Sequence, residues 1–230
     1  VKLKRTSAIA SFSTPDFPAF APIVSDAFEH LKCLPQGTSV AKGVFVVEQG
    51  VSPSAVYLLR EGLVKLVYIA PDGRETILGL RAAGWYAGAV ASLMHAPSHY
   101  SIKTVTPCVF SIIAADEFSP KLMQSARLMR HFMDTLCNEL ISQSAEAQLR
   151  LISAEKRLAH FMAERYIQNP QWHTLDPLPL LKQMELAQLL AITPEHLSRL
   201  LHKTPHIEAE PPSQMAFSSF IAAPSMDKLA

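Results

Sequence analysis

Glycine is missing from residues 89 to 230; all eight glycines, 37, 43, 50, 62, 73, 79, 84 and 88, fall in one early segment. Glycine concentrates where the chain must turn tightly. Its distribution therefore predicts a turn-rich β region followed by helix. Cysteine is scarce: Cys33, Cys108 and Cys137 lie far apart, with no Cys-x-x-Cys spacing. They cannot supply a four-thiolate cluster or a structural zinc site, and an odd number argues against a disulfide scaffold. No run of about 18 apolar residues is present, so no spanning helix is expected. Val1-Lys2-Leu3-Lys4-Arg5 is basic, but no secretory apolar region follows it, and a reducing cytoplasm is the default expectation. Charge of either sign is nearly absent in excess: 21 Lys+Arg against 20 Asp+Glu give +1. That balance argues against a general polycation acting on nucleic acid or membranes.

What is present is 49% hydrophobic content over 230 residues, enough for a proper core. Residues 1–24, with Pro15, Pro18 and Pro22, read as an irregular arm, and Phe28 to Leu34 as a short helix. Between Val40 and Ile113 short β runs alternate with turn signals. They are Val44–Val47, Ala55–Leu59, a hairpin over 63–80 with Pro71-Asp72-Gly73 at its tip, Ser101–Thr106 and Cys108–Ile113. Spacing of this kind predicts an antiparallel roll or sandwich.

From Pro120 to Gln148 the period changes to four and three, through Leu122, Ala126, Met129, Met133, Leu136, Leu140, Gln143 and Ala147. This predicts one helix of about 40 Å with a heptad seam. Met129, Met133, Leu136 and Leu140 are the dimerisation candidates; Leu128, Phe132 and Ile141 form a second apolar face. A second amphipathic helix spans 154–168, with Leu158, Phe161, Met162 and Tyr166 at core spacing. A Pro-rich link at 172–179 precedes two short helices, Leu181 to Leu190 and Pro194 to Lys203. The tail offers at most one or two strands, near Met215 to Ala222.

Those two short helices meet the demands of a helix-turn-helix. Ala187 is small where the helices cross, Ala191-Ile192 is the turn, and Leu197, Leu200 and Leu201 are the inner face of the second helix. Thr193 is an N-cap and Pro194 suits the first helical position. The outer face carries Glu195, Ser198, Arg199 and Lys203, with His196 and His202 nearby. Glu195 and Arg199 are four apart and share a face. Arg can grip guanine O6/N7 and a carboxylate can accept from cytosine N4. The same spacing also suits a plain surface ion pair.

Residues 25 to 203 resemble the CRP/FNR family of bacterial transcription regulators. The resemblance rests on Lys42-Gly43, Glu48-Gln49-Gly50, Tyr57 to Leu66 and Gly84-Trp85-Tyr86-Ala87-Gly88 in the roll, on the long helix, and on Glu195-x-x-Ser198-Arg199. It implies an α+β fold: an N-terminal cyclic-nucleotide-binding-type β-roll, a long dimerisation helix and a C-terminal winged helix-turn-helix. The implied divisions are 1–118 for arm and roll, 119–149 for the dimer helix and 150–230 for the DNA-binding part. The Glu-Ser-Arg pattern resembles the FNR-type head that reads a TTGAT half-site, and Thr193-Pro194-Glu195 looks like nitrogen-oxide-responsive members. DNA-binding candidates are Glu195, Ser198, Arg199, Thr193, His196, Lys203 and Gln183. The implied partners are double-stranded DNA, a second copy of the chain, RNA polymerase and a small-molecule effector; the implied class is not an enzyme, and no metal site is expected.

The family's effector region corresponds to Gly84, Tyr86, Gly88, Ala89, Val90, Ser98, His99 and Tyr100. Ala89 stands where cyclic-AMP binders place a ribose-binding Glu, and Pro97-Ser98-His99-Tyr100-Ser101 lacks their phosphate-binding Arg. A buried phosphodiester needs a cation or several donors, so cyclic AMP is not expected. A four-cysteine iron–sulfur cluster is excluded. Haem, with His95, His99, Met94 or His131 as candidate ligands, stays open as an alternative, as does a sensing module that has lost specific DNA binding. The latter is motivated by Ala191 in place of the turn glycine, by the irregular wing after Thr204-Pro205 and Pro211-Pro212, and by seven basic against eight acidic residues over 151–230.

Overall fold

The computed structural model describes residues 35–168 and 181–203; of Ala145 and residues 162–168 it gives the backbone alone. The N-terminal arm, the helix expected at 28–34, Cys33, the 172–179 link and the expected wing beyond residue 203 lie outside the described residues.

Eight strands build the roll: β1 Thr38–Val40, β2 Phe45–Val47, β3 Ala55–Glu61, β4 Val64–Ile69, β5 Glu75–Arg81, β6 Tyr86–Ala87, β7 Ser101–Thr104 and β8 Cys108–Ala114. They form two four-stranded antiparallel sheets, in the orders β1-β8-β3-β6 and β2-β7-β4-β5. The expected 63–80 hairpin is β4–β5. At its tip Gly73 takes φ +83°, its N–H donates to Ala70 O at 2.9 Å, and Arg74 Nε donates to Asp72 Oδ2 at 2.7 Å. Side chains alternate across a strand, and β3 is buried on both faces. Leu59 joins the core between the sheets with Val64, Ile102 and Phe110. Val56 and Leu58 join the opposite core, under the helices, with Tyr86, Phe118 and Phe132. This explains why Ala55–Leu59 reads as a continuous apolar run rather than an alternating one.

Six helices complete the described chain: α1 Ala89–Leu93, α2 Ala115–Gln124, α3 Ala126–Leu149, α4 Ala154–Gln168, α5 Gln183–Leu189 and α6 Pro194–Lys203. One expectation is corrected here. Residues 120–148 are not a single helix: α2 stops at Gln124, Ser125 is extended (φ −126°, ψ 99°), and α3 starts anew. Ser125 Oγ accepts the Leu128 N–H at 3.2 Å, an N-cap that serves an otherwise orphaned donor. Leu122 therefore leaves the seam; it packs beside Phe118 and Leu128 in the roll's helix-facing core.

The third core cluster joins the two ends of the chain. Leu63, Leu80 and Val105 of the roll share it with Leu158 and Phe161 of α4, Leu186 and Leu190 at the α5 end, and Leu197 and Leu200 of α6. Lys65 of β4 also pairs with Glu185 of α5, and Gln188 Nε2 donates to the Glu75 carbonyl at 3.1 Å. The two short helices thus pack on the second sheet of the roll. No described helix is long and apolar enough to cross a membrane.

Candidate functional site

The α5–α6 pair is built by local hydrogen bonds. The Lys182 N–H donates to Glu185 Oε2 at 2.8 Å, closing the start of α5; lysine has no acceptor to return the bond. At its other end the Ile192 N–H donates to Ala187 O and the Ala191 N–H to Gln188 O, each at 3.0 Å. These six-to-one and five-to-two bonds make a Schellman ending, whose left-handed residue is usually glycine. Here it is Ala191, at φ +52°. An alanine held in this left-handed backbone is strained. Thr193 Oγ1 then accepts the His196 N–H at 3.2 Å and caps α6, with Pro194 in its first position.

Leu197 and Leu200 of α6 are buried, whereas Glu195, Arg199 and Lys203 are exposed and Ser198 and His196 half-buried. Gln183, at the start of α5, is exposed too. Among the described residues no ion pair joins Glu195 to Arg199. The backbone N–H and the Thr193 hydroxyl hold the Glu195 carboxyl below its ordinary range, with Arg199 adding to this. The helix thus offers solvent a carboxylate, a hydroxyl and a guanidinium along one side.

The second region of interest is the junction of roll and α3. Tyr86 is buried, and its hydroxyl lies 2.7 Å from His131 Nδ1 on α3; burial pushes the His131 imidazole below its usual range. Tyr86, Phe118 and Phe132 meet edge-on or tilted at 5.3–5.9 Å. Thr135 Oγ1 donates to Gly84 O at 3.3 Å. Of the effector candidates, Ala89 and Ser98 are buried, Tyr100 half-buried, and Val90 and His99 exposed. Gly88 caps α1 at φ +79°. Of the haem-ligand candidates, Met94, His95 and His99 are exposed, and His131 is the partner of Tyr86. Among the described residues no three His, Cys, Asp or Glu side chains are grouped so as to hold a metal ion.

The sequence reading missed the strongest polar cluster of this junction. Arg81, at the end of β5, is 7% exposed. Its Nε and Nη2 donate to the two carboxylate oxygens of Glu139 at 2.7 and 2.6 Å, and Nη1 lies 3.4 Å from Glu146 Oε1. Trp85 Nε1 also donates to Glu139, at 3.1 Å. A Cβ on Gly79 would stand 2.7 Å from Arg81 Nη1 and 3.2 Å from Glu146 Oε1, so glycine makes room for the pairing. Burial pushes the Glu139 carboxyl up, but the hydrogen bond and charge of Arg81 outweigh it and hold the group below its ordinary range. Glu146, less fully engaged, is pushed above that range by burial. The available signal was the seven-residue spacing of Glu139 and Glu146 on one helix face, opposite a lone Arg ending an apolar strand.

Residues 38–125 match the family model described as the cyclic nucleotide-binding domain. The likeness covers the eight strands of the roll together with α1 and α2. Around it, 76% of the chain is 29% identical to 73% of the nitrogen fixation regulation protein FixK of Bradyrhizobium diazoefficiens. The structure of CLP, the c-di-GMP-responsive global regulator of Xanthomonas campestris, superposes with a TM-score of 0.59 at 18% identity, over 79% of this chain and 92% of that one. FixK2 from Bradyrhizobium japonicum superposes with a TM-score of 0.58 at 18% identity, over 74% of this chain and 83% of that one. The two structural matches show the shared fold. Within the matched segment the residues do not fit a cyclic phosphate. Pro97–Ser101 holds no cation, Ala89 is sealed in the core, and the charge of Arg81 is met by two carboxylates.

Two expected outcomes follow from this geometry. Glu139→Gln leaves a buried guanidinium with one distant carboxylate and costs about 2–4 kcal/mol at neutral pH, whereas Glu146→Gln changes stability by less than about 1 kcal/mol. Because the Glu139 carboxyl is lowered by folding, its contribution is present above the ordinary carboxylate range and is lost as pH falls through the lowered value. The penalty of Glu139→Gln should therefore shrink in acid urea titrations. Separately, Ala191→Gly relieves a left-handed alanine and should raise stability by about 0.5–1 kcal/mol in thermal unfolding.

Proposed function

We propose that the chain is a homodimeric, sequence-specific DNA-binding transcription regulator of the CRP/FNR type, reading a TTGAT-type palindrome. The observation that carries this reading is α6. Its inner face is anchored by Leu197 and Leu200, its start is capped by Thr193, and Glu195, Ser198 and Arg199 are left toward solvent. That is the arrangement in which a recognition helix presents its first residues to base edges in the major groove. Arg199 would hold a guanine, Glu195 a cytosine, and Thr193, His196, Lys203 and Gln183 the neighbouring backbone. FixK, one of the relatives, is itself a regulation protein.

Pairing of two copies is assigned to α3. Met133 and Leu140 are 48% and 65% exposed, an apolar pair that a second α3 would cover, flanked by Met129 and Leu136, which pack in part against the roll's helix-facing core. Two reading helices then enter successive major grooves about 34 Å apart. The roll–α3 junction would hold an effector other than cyclic AMP and bias a hinge near Ala147 to Ser153, as a population shift. RNA polymerase is the expected downstream partner, and no catalytic step is involved. The near-neutral charge of the DNA-binding part favours a second reading, a sensing module with weakened DNA binding, which the same experiment separates.

In gel-shift titrations the chain should bind a TTGAT palindrome, and Arg199→Ala should lose about 1–3 kcal/mol together with discrimination at one G of each half-site. Equal affinity for scrambled DNA would favour the second reading. Leu140→Asp should sediment as a monomer while keeping its helical signal; a variant that still sediments as a dimer removes α3 from the interface.

A further inference from the structure

A cavity of about 170 Å³ lies where three parts of the chain converge: strand β5, the end of α3 with the start of α4, and α5 with its turn. Its walls include Ile77 of β5, Leu149 of α3, Phe161 of α4 and Leu190 at the end of α5; Ile77, Phe161 and Leu190 are buried. An apolar cavity of about 150 Å³ accommodates benzene, so the space suits a ring or a branched chain of that size.

The polar part of the lining is asymmetric in charge. Arg150 and Arg157 face one carboxylate, Glu146, and that carboxylate is already shared with Arg81. Arg157 spends Nε on the Leu190 carbonyl at 2.8 Å and Nη1 on the Ile152 carbonyl at 2.6 Å. Those are neutral acceptors, so neither described bond offsets its charge. Among the described residues no carboxylate lies within 4.0 Å of either guanidinium, and Arg150 reaches Glu146 only through longer-range charge. An apolar floor with surplus positive charge at its edge fits an amphipathic anion.

We propose that this cavity binds a small monocarboxylate with an apolar body of about benzene size, and that the ligand holds the α5–α6 unit against the roll. It lies beyond the Arg81 cluster, at the link between α3 and α4, and does not draw on the residues around Gly84–Tyr100. Because its walls come from both ends of the chain, the site exists only while they are docked, and a ligand there favours the docked arrangement. Its effect on DNA binding rests on the function proposed above; the site itself does not.

The test is methyl NMR of the full chain, without DNA, titrated with benzoate, toluene and benzylamine. Benzoate should shift the Ile77, Leu149 and Leu190 methyl resonances saturably at millimolar concentration or below, and benzylamine should not. Arg150→Gln, at an exposed position, should weaken benzoate about three- to five-fold and leave toluene unchanged. Ile77→Phe fills the space and should abolish the shifts; a thermal melt establishes that each variant is folded. Methyl resonances that stay fixed with benzoate, equal binding of benzylamine, or an Arg150→Gln variant that binds benzoate as tightly as the parent would each overturn the proposal. Absence of a benzoate shift leaves the gel-shift result intact, and a failed gel shift leaves this titration intact.

Discussion

The pairing of Arg81 with Glu139 and Glu146 is the constraint on which the arrangement of the roll and α3 depends. A guanidinium at 7% exposure cannot be left without carboxylates at low dielectric. Its bidentate bond to Glu139 sets where β5 meets the middle of α3. Trp85 extends the same contact into the Gly84–Gly88 segment. Gly79 is part of the pairing, because any larger residue would occupy the space of the guanidinium. With Arg81 so engaged, the junction of roll and α3 carries its own paired charges.

From that junction the structure passes to α5 and α6 through a shared apolar core rather than a loose tether. Leu63 and Leu80 of the roll belong to the same cluster as Leu158, Leu186 and Leu197. The Lys65–Glu185 pair adds a polar contact at its edge. Burial tends to push the Glu185 carboxyl up, but Lys65 and the Lys182 N–H bring it below its ordinary range. The orientation of α6 is therefore coupled to the roll by packing, so whatever repacks β5 or the end of α3 reaches the exposed Glu195–Arg199 face.

Formal charge says little about such a molecule. With 21 basic and 20 acidic residues, long-range attraction to a polyanion is weak. Any nucleic-acid recognition depends on a few side chains held in place, and a shallow salt dependence goes with it. Their placement comes from local devices: the Thr193 cap, the Schellman ending at Ala191, and the buried Leu197 and Leu200.

Much of this was legible in the amino-acid order, because it rests on short-range physics. Pro71-Asp72-Gly73 specifies a hairpin tip, Thr193-Pro194 a helix start, and Ala191 a turn under strain; each depends on neighbours within a few residues. The break at Ser125 was not legible: a heptad pattern runs through it, and only the packing of Leu122 and Phe118 against β3 shows that the apolar positions on either side serve different cores. The link from Arg81 to Glu139 was equally hidden, since the partners lie 58 residues apart and no local rule joins them. The sequence by itself determined the order of roll, long helix and two short capped helices, through turn residues, periodicity and caps. Only the tertiary structure decided which charges meet in the interior and that α5 and α6 share a core with the roll, because long-range pairing and burial depend on the whole folded chain.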